Sequence, residues 1–280
     1  MYVLAPMNES GGEGKTTTAL TIATGLAIQG KRVVLIDADP NAKLTPSLGY
    51  KKRGSLYDLL VRDTEWSDLL IEVDSARYAP ASGSQGSLLL LPGNSETGNI
   101  SNSISNPHLF GARLRELADV VDLVVVDTSP TANMLHGSVY MAADGVIYTA
   151  QPNFLSLGGL HETLKHTGQA NDQRAADELA DLKIIGIQPT FYRNTRIQDE
   201  YIRKYRSLYG RQIVWPAVPL ANIWLEASAA QQSIFAYAKQ EIDPASIDAD
   251  YDPEVDEERS TLKIAWALVR RVERSLQAHE

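Results

Sequence analysis

Seven short apolar runs punctuate the chain: Tyr2–Ala5, Val33–Ile36, Leu88–Leu91, Leu123–Val126, Val146–Thr149, Ile184–Ile187 and Ile213–Val214. They are rich in Val, Ile and Leu and lack polar alternation, the pattern of strands buried on both faces. Between them apolar residues take helical spacing, as in Leu20, Ala23, Leu26 and Ala27. A last helix is predicted over Glu258–Gln277, where Leu262, Ala265, Trp266, Val269 and Val272 form one stripe. Strands and helices therefore alternate, which predicts an α/β fold with a doubly wound, mostly parallel sheet and helices on both faces. No internal repeat or long linker divides the sequence, so a single domain over 1–280 is expected. Ala79–Gly86 and Gly93–Asn106, rich in Gly, Ser and Asn, are predicted loops.

Composition narrows the class. At 44% hydrophobic residues the chain can fill a sizeable core, and no run approaches the roughly eighteen apolar residues of a membrane helix. The N-terminus shows no charged segment followed by an apolar one, so no signal peptide is expected. The absence of cysteine removes disulfides, zinc–thiolate sites and iron–sulfur clusters, and fits a cytoplasmic protein. A net charge of −9 argues against nucleic acid only if it is spread evenly. It is not: Glu241–Glu258 alone holds nine acids and no Lys or Arg, leaving the remainder neutral. That stretch reads as an acidic exposed excursion before the last helix, and bulk charge leaves the partner open.

Chemistry enters with Ser10-Gly11-Gly12-Glu13-Gly14-Lys15-Thr16, which joins the first apolar run to the first helical pattern. Glycines let the backbone curl with its N–H groups inward around a phosphate, a lysine at Lys15 can reach β/γ-phosphates, and the Thr16 hydroxyl can ligate Mg²⁺. The strict spacing G-x-x-x-x-G-K-[ST] would require glycine at Glu9, so this is a shortened form. Two later runs end in acids, one in Asp37-Ala38-Asp39-Pro40 and the other in Asp127-Thr128. Open α/β sheets bind ligands at the carboxyl ends of their strands, which places these acids near the phosphates. One strand-end aspartate is as readily a loop cap; three behind such a loop favour a nucleotide site.

These motifs resemble the deviant-Walker ParA/MinD group of P-loop ATPases. The family pattern K-G-G-x-G-K-[ST]-T falls on Ser10–Thr17, D-x-D-P on Asp37–Pro40, and D-x-x-x-x-D-[TS]-[PS]-P on Asp122–Pro130. Ala143–Val146, Gly158–Leu160, Pro189–Tyr192 and Val218–Ala227 are similar to later landmarks, the last to the loop over adenine. The resemblance runs from about Tyr2 to Ala238 and implies a P-loop NTPase fold with ATP and Mg²⁺ as cofactors. It implies nucleotide contacts from Gly11, Gly12, Glu13, Gly14, Lys15, Thr16, Thr17, Thr190 and Pro219, and metal contacts from Thr16, Asp127 and Asp37. It implies catalysis through Lys15 and Asp39, the latter orienting water, with Asp37 in support. An ATP-dependent homodimer, non-specific DNA binding, nucleoid association, a ParB-like cargo adaptor and slow hydrolysis are further implications. One position departs: the family's signature lysine, which reaches across the dimer, falls on Ser10. Some members, including ATPases that distribute carboxysomes, also lack it. Serine supplies no positive charge, so either another cation substitutes or stabilisation across the dimer weakens. Glu13 adds a negative charge that worsens the electrostatics if it faces the phosphates.

Arg193, Arg196, Arg203, Lys204, Arg206 and Arg211 are opposed only by Asp199 and Glu200 and interleaved with Tyr192, Tyr201, Tyr205 and Tyr209. Lys263, Arg270, Arg271 and Arg274 lie on the last helix. Such cations either neutralise DNA phosphates or form a solvated helix face over core tyrosines. The acidic run is a solubilising loop, a screen for the basic surface, or a partner contact. His108, His136, His161, His166 and His279 show no metal-ligand spacing. Three functions stand: a partition or positioning ATPase that distributes a plasmid or microcompartment, a regulatory ATPase of conjugative DNA transfer, and a metabolic P-loop ligase. A membrane-cycling role would need the final helix free, and that helix is expected to pack on the domain.

Overall fold

The computed structural model describes residues 1–211, 213–238, 240–251 and 260–278. The apolar runs become β1 (Tyr2–Met7), β2 (Arg32–Ala38), β4 (Ser87–Leu91), β5 (Leu123–Thr128), β6 (Gly145–Ala150) and β7 (Lys183–Pro189). With the two-residue β3 (Ile71–Glu72) they form a sheet in the order β3-β4-β2-β5-β1-β6-β7. Every pairing is parallel except β3 with β4. Alternate strand residues feed two cores. Leu4, Val33, Leu35, Leu123 and Val125 face one, while Val3, Ala5, Val34, Ile36, Val124 and Val126 face the other.

The helices that matter for the site are α1 (Lys15–Ile28), α2 (Leu44–Ser47), α3 (Met134–Ala142), α4 (Phe154–Ala176), α5 (Arg196–Tyr209), α6 (Asn222–Ala229) and α7 (Thr261–Gln277). α1 and α7 pack together and cover the first core, to which they contribute Ala23, Leu26, Trp266 and Val269. α4 and α5 cover the second through Leu160 and Tyr205. No described helix is long and apolar enough to cross a membrane.

Three expectations change. Ile213–Val214 makes no strand, only a single bridge from Val214 to Ile187, and Pro216 just beyond lacks the N–H that continued pairing needs. Gly93–Asn106 is not plain loop: Asn94 caps a 3₁₀ turn over Ser95–Asn99, followed by a helical turn at Ile100–Ser103. In the described part of the acidic stretch Glu241, Asp243, Asp248 and Asp250 are exposed, but the segment is docked through Ile247 and Ala249, which are buried. Asp252, Glu254, Asp256, Glu257, Glu258 and His279 lie outside the described residues, and α7 is described from its N-cap, Ser260.

Candidate functional site

The loop after β1 is shaped by two left-handed glycines, Gly12 at φ 75° and Gly14 at φ 85°, a conformation side-chain-bearing residues seldom adopt. Gly14 is also the N-cap of α1, and no side chain caps that terminus or places an acid in its first turn. The first N–H groups of α1 therefore remain available to an anion, aided by the helix dipole. Asn8 moors the loop: its Oδ1 accepts the Ser10 N–H at 2.7 Å and its Nδ2 donates to the Thr149 carbonyl at 2.5 Å. Lys15 is buried and its Nζ donates to the carbonyls of Asn8 (2.7 Å) and Ser10 (2.9 Å). Burial lowers its pKa, and the charges of Asp127, Asp39 and Glu13 act against that.

Asp37 and Asp127 are register partners on β2 and β5 and are fully buried. Strand alternation puts both on the α1 side, in phase with Leu35 and Val125. The Asp37 Oδ2 accepts the Thr45 N–H (2.9 Å) and hydroxyl (2.6 Å), while its Oδ1 has no hydrogen bond among the described residues. Neither carboxylate oxygen of Asp127 is hydrogen-bonded among the described residues. Burial pushes Asp37 up to about 6, partly offset by Thr45. Asp127 is raised well above the usual carboxylate range by burial and then by the charge of Asp37, and the nearby Thr16 hydroxyl offsets this only in part. Adjacent carboxylates with orphaned oxygens are costly unless a cation joins them. An all-oxygen set beside a threonine hydroxyl fits a hard ion such as Mg²⁺. Asp39 is half-buried; its Oδ1 accepts the Asn41 backbone N–H (2.8 Å) and Nδ2 (2.9 Å), closing a turn at the mouth of the site.

Thr17 follows Thr16 in the first turn of α1. The Thr190 hydroxyl donates to the Glu13 carbonyl at 3.1 Å, so Thr190 flanks the loop directly. Pro219 joins it at one remove, through a bridge to Tyr192. Glu13 needs correction as a charge in the cradle. Its side chain is buried, with Oε2 accepting the Gln151 N–H (2.6 Å) and Oε1 the Ser156 hydroxyl (2.8 Å). It fastens the start of α4 to the loop and leaves only its backbone for phosphate. Asn8, Gln151, Ser156 and Thr45 were missed by the sequence reading, which had Phe191 only within the Pro189–Tyr192 landmark. Phe191 is left-handed at φ 52°, and its ring lies against Gly14. The partners of Asn8 and Glu13 are up to 143 residues away, so no local spacing announces them.

The two predicted basic surfaces differ. On α5, Ile202 and Tyr205 are buried, and the Tyr205 hydroxyl donates to the Gln151 carbonyl at 2.6 Å. Outside them Arg203, Arg206 and Arg211 line a cleft of about 380 Å³ with Tyr192 and Asp199. Arg193 and Arg196 are exposed nearby, and Lys204 lies 4.6 Å over the Tyr201 ring and 3.5 Å from Glu200. The α7 set is not an open basic face. Arg270 pairs with Glu273 at 2.5 Å, Arg271 donates to the Tyr251 carbonyl at 3.3 Å, and Arg274 meets Asp250 at 2.9 Å and Asp248 at 3.5 Å. Asp248 and Asp250 of the acidic segment neutralise Arg274, while Arg270 is paired within α7 by Glu273.

Residues 1–184 match the model of the family described as AAA domain. The chain belongs to that family, as a ParA/MinD-type P-loop ATPase. This ATPase is 30% identical over 233 residues to the maintenance of carboxysome distribution protein A of Synechococcus elongatus, covering 80% of this chain and 86% of that one. It is 27% identical over 230 residues to the chromosome partitioning protein ParA of Caulobacter vibrioides, covering 78% and 80%. Its fold is that of apo McdA from Cyanothece, with a TM-score of 0.75 at 19% identity over 97% and 99% of the two chains. Cobyrinic acid a,c-diamide synthase from Mycobacterium smegmatis, solved with ADP and magnesium, is also similar: TM-score 0.67 and 26% identity over 85% and 91%.

Proposed function

We propose that this ATPase positions a cargo: it binds Mg–ATP, dimerises face to face, holds DNA without reading its sequence, and lets go when an adaptor stimulates hydrolysis. The observation that carries the nucleotide part is the register pairing of Asp37 with Asp127, with one Asp37 oxygen and both Asp127 oxygens lacking a hydrogen bond among the described residues. The loop N–H groups of Gly11 to Thr17 and the Lys15 ammonium hold the triphosphate. Thr16, Asp127 and Asp37 would hold Mg²⁺, which when bound neutralises charge on the phosphate oxygens. Asp39, with one oxygen committed to Asn41, orients the attacking water through the other. An arginine-finger group is worth about 10³–10⁵-fold; without one, turnover stays slow until a partner acts, which suits a timer.

Two features support the rest of the cycle. Phe154 and Leu155 are 74% and 81% exposed at the start of α4, which Glu13 ties to the loop, and Leu225 on α6 is 70% exposed. Such an apolar rim beside the cradle suits a nucleotide-closed dimer. The arginine cleft of α5 suits phosphate neutralisation. The relatives named for chromosome partitioning and carboxysome distribution support a chromosome or microcompartment as cargo. The likeness to the diamide synthase supports one competing reading, a ligase acting on a small substrate without DNA or adaptor.

Co-sedimentation with DNA in ATP, ADP or no nucleotide, repeated across salt, separates the two. Binding only with ATP, and falling steeply with salt, supports positioning; equal binding in every state, or none, rejects it. Asp39→Ala is expected to keep ATP affinity and slow hydrolysis at least about tenfold, in line with losing a general base or water-orienting group. Unchanged turnover would remove Asp39 from that role.

A further inference from the structure

Three acids, Asp37, Asp39 and Asp127, border a loop whose own cation is Lys15, and the place where a second lysine would stand is Ser10. Ser10 has no ammonium to give, and its hydroxyl packs against Gly159 of α4. A bound triphosphate deepens the shortage of positive charge.

Lys43 lies four residues after Asp39, just past the turn that Asp39 closes. It lines a cavity of about 150 Å³ together with Thr16, Thr17 and Trp224, and is the one cation in that lining. Its side chain is exposed, and its ammonium makes no hydrogen bond or ion pair among the described residues. The backbone that carries it is fixed. Ala42, just before it, is left-handed at φ 46°, donates its N–H to the Asp39 carbonyl at 2.8 Å, and is fully buried. Gly93 packs so closely that a Cβ there would lie 2.8 Å from that of Ala42. Left-handed non-glycine residues held by packing recur at ligand clamps. On the other side Lys43 is the N-cap of α2, whose Thr45 binds the Asp37 carboxylate and accepts the Gly93 N–H at 2.9 Å. Asp37, the Asp39 turn and Lys43 thus form one connected piece.

We propose that Lys43 is the phosphate-binding cation that fills, within the same chain, the role Ser10 leaves empty: its ammonium engages the terminal phosphate of ATP. This rests on the Mg–ATP assignment above. Because ADP lacks that phosphate, Lys43 discriminates ATP from ADP, whereas Lys15 and the loop amides hold both. The cation acts in cis, so it is present in the monomer before any dimer forms.

Calorimetric titration with Mg–ADP and with Mg–ATPγS tests this on wild type, Lys43→Gln and Lys43→Arg. Loss of one charge-assisted hydrogen bond is expected to weaken ATPγS about tenfold in Lys43→Gln. ADP affinity should stay within about twofold, and Lys43→Arg should keep the ATPγS preference. Equal weakening toward both nucleotides, or none toward either, overturns the role of Lys43 while leaving the ATP site intact. Wild type that binds neither nucleotide overturns the assignment beneath it as well.

Discussion

Lys15, Asp37 and Asp127 are buried, fixed by strand register and carbonyl contacts, and shifted in pKa. Arg193, Arg196 and Arg203 stand in solvent on or beside a helix that meets the sheet through Ile202 and Tyr205. The first region is organised before any ligand arrives: the backbone supplies its donors, and each side chain has a set place. The second is a field of charge whose members are nearly interchangeable. Pre-organised electrostatics in a desolvated site is sensitive to single atoms, whereas a phosphate-neutralising face responds to the number of charges.

Substitutions separate the two regimes. Lys15→Ala should lower ATP affinity at least about a hundredfold, because its contact to phosphate is buried and charge-assisted. Calorimetry that finds a loss under about threefold would put the cradle in the same regime as the surface. Arg203→Ala with Arg206→Ala should weaken DNA binding about tenfold and lower the salt slope by about 2, with ATP affinity unchanged. An unchanged slope in co-sedimentation across salt would remove the α5 cleft from the DNA face. The smallest effect is expected at α7. Arg274→Ala should leave DNA binding unchanged and stability within about 0.5 kcal/mol, since its ion pairs with Asp248 and Asp250 are largely exposed. A DNA-binding loss as large as that at α5 would mean that the acidic segment leaves α7 when DNA arrives.

The same contrast explains what the sequence made legible. Apolar runs rich in Val, Ile and Leu place β1, β2, β5 and β6, and the loop and its acids follow, because a strand end and a turn are local facts. Ile213–Val214 satisfies the apolar criterion yet makes one bridge, since neighbouring Pro216 limits pairing. Charge was harder to read. Glu13 looked like a defect in the cradle, but Ser156 and Gln151 claim it from across the fold. Arg270, Arg271 and Arg274 looked equivalent to the α5 cations until Asp248, Asp250, Glu273 and the Tyr251 carbonyl were seen to occupy them. Whether a charged side chain is free depends on the fold around it, which no periodicity encodes. Lys43 was overlooked for a related reason: it belongs to no motif, and only the packing of the Asp39 turn brings it to Thr16 and Thr17.

The most direct test is calorimetric titration of the folded protein with ATP, in magnesium and again in EDTA. The account predicts saturable one-site heat with magnesium and a much weaker signal without it. Absence of heat in both conditions, or identical affinity in both, would contradict a triphosphate site built around Lys15 with Asp37 and Asp127 awaiting a divalent ion.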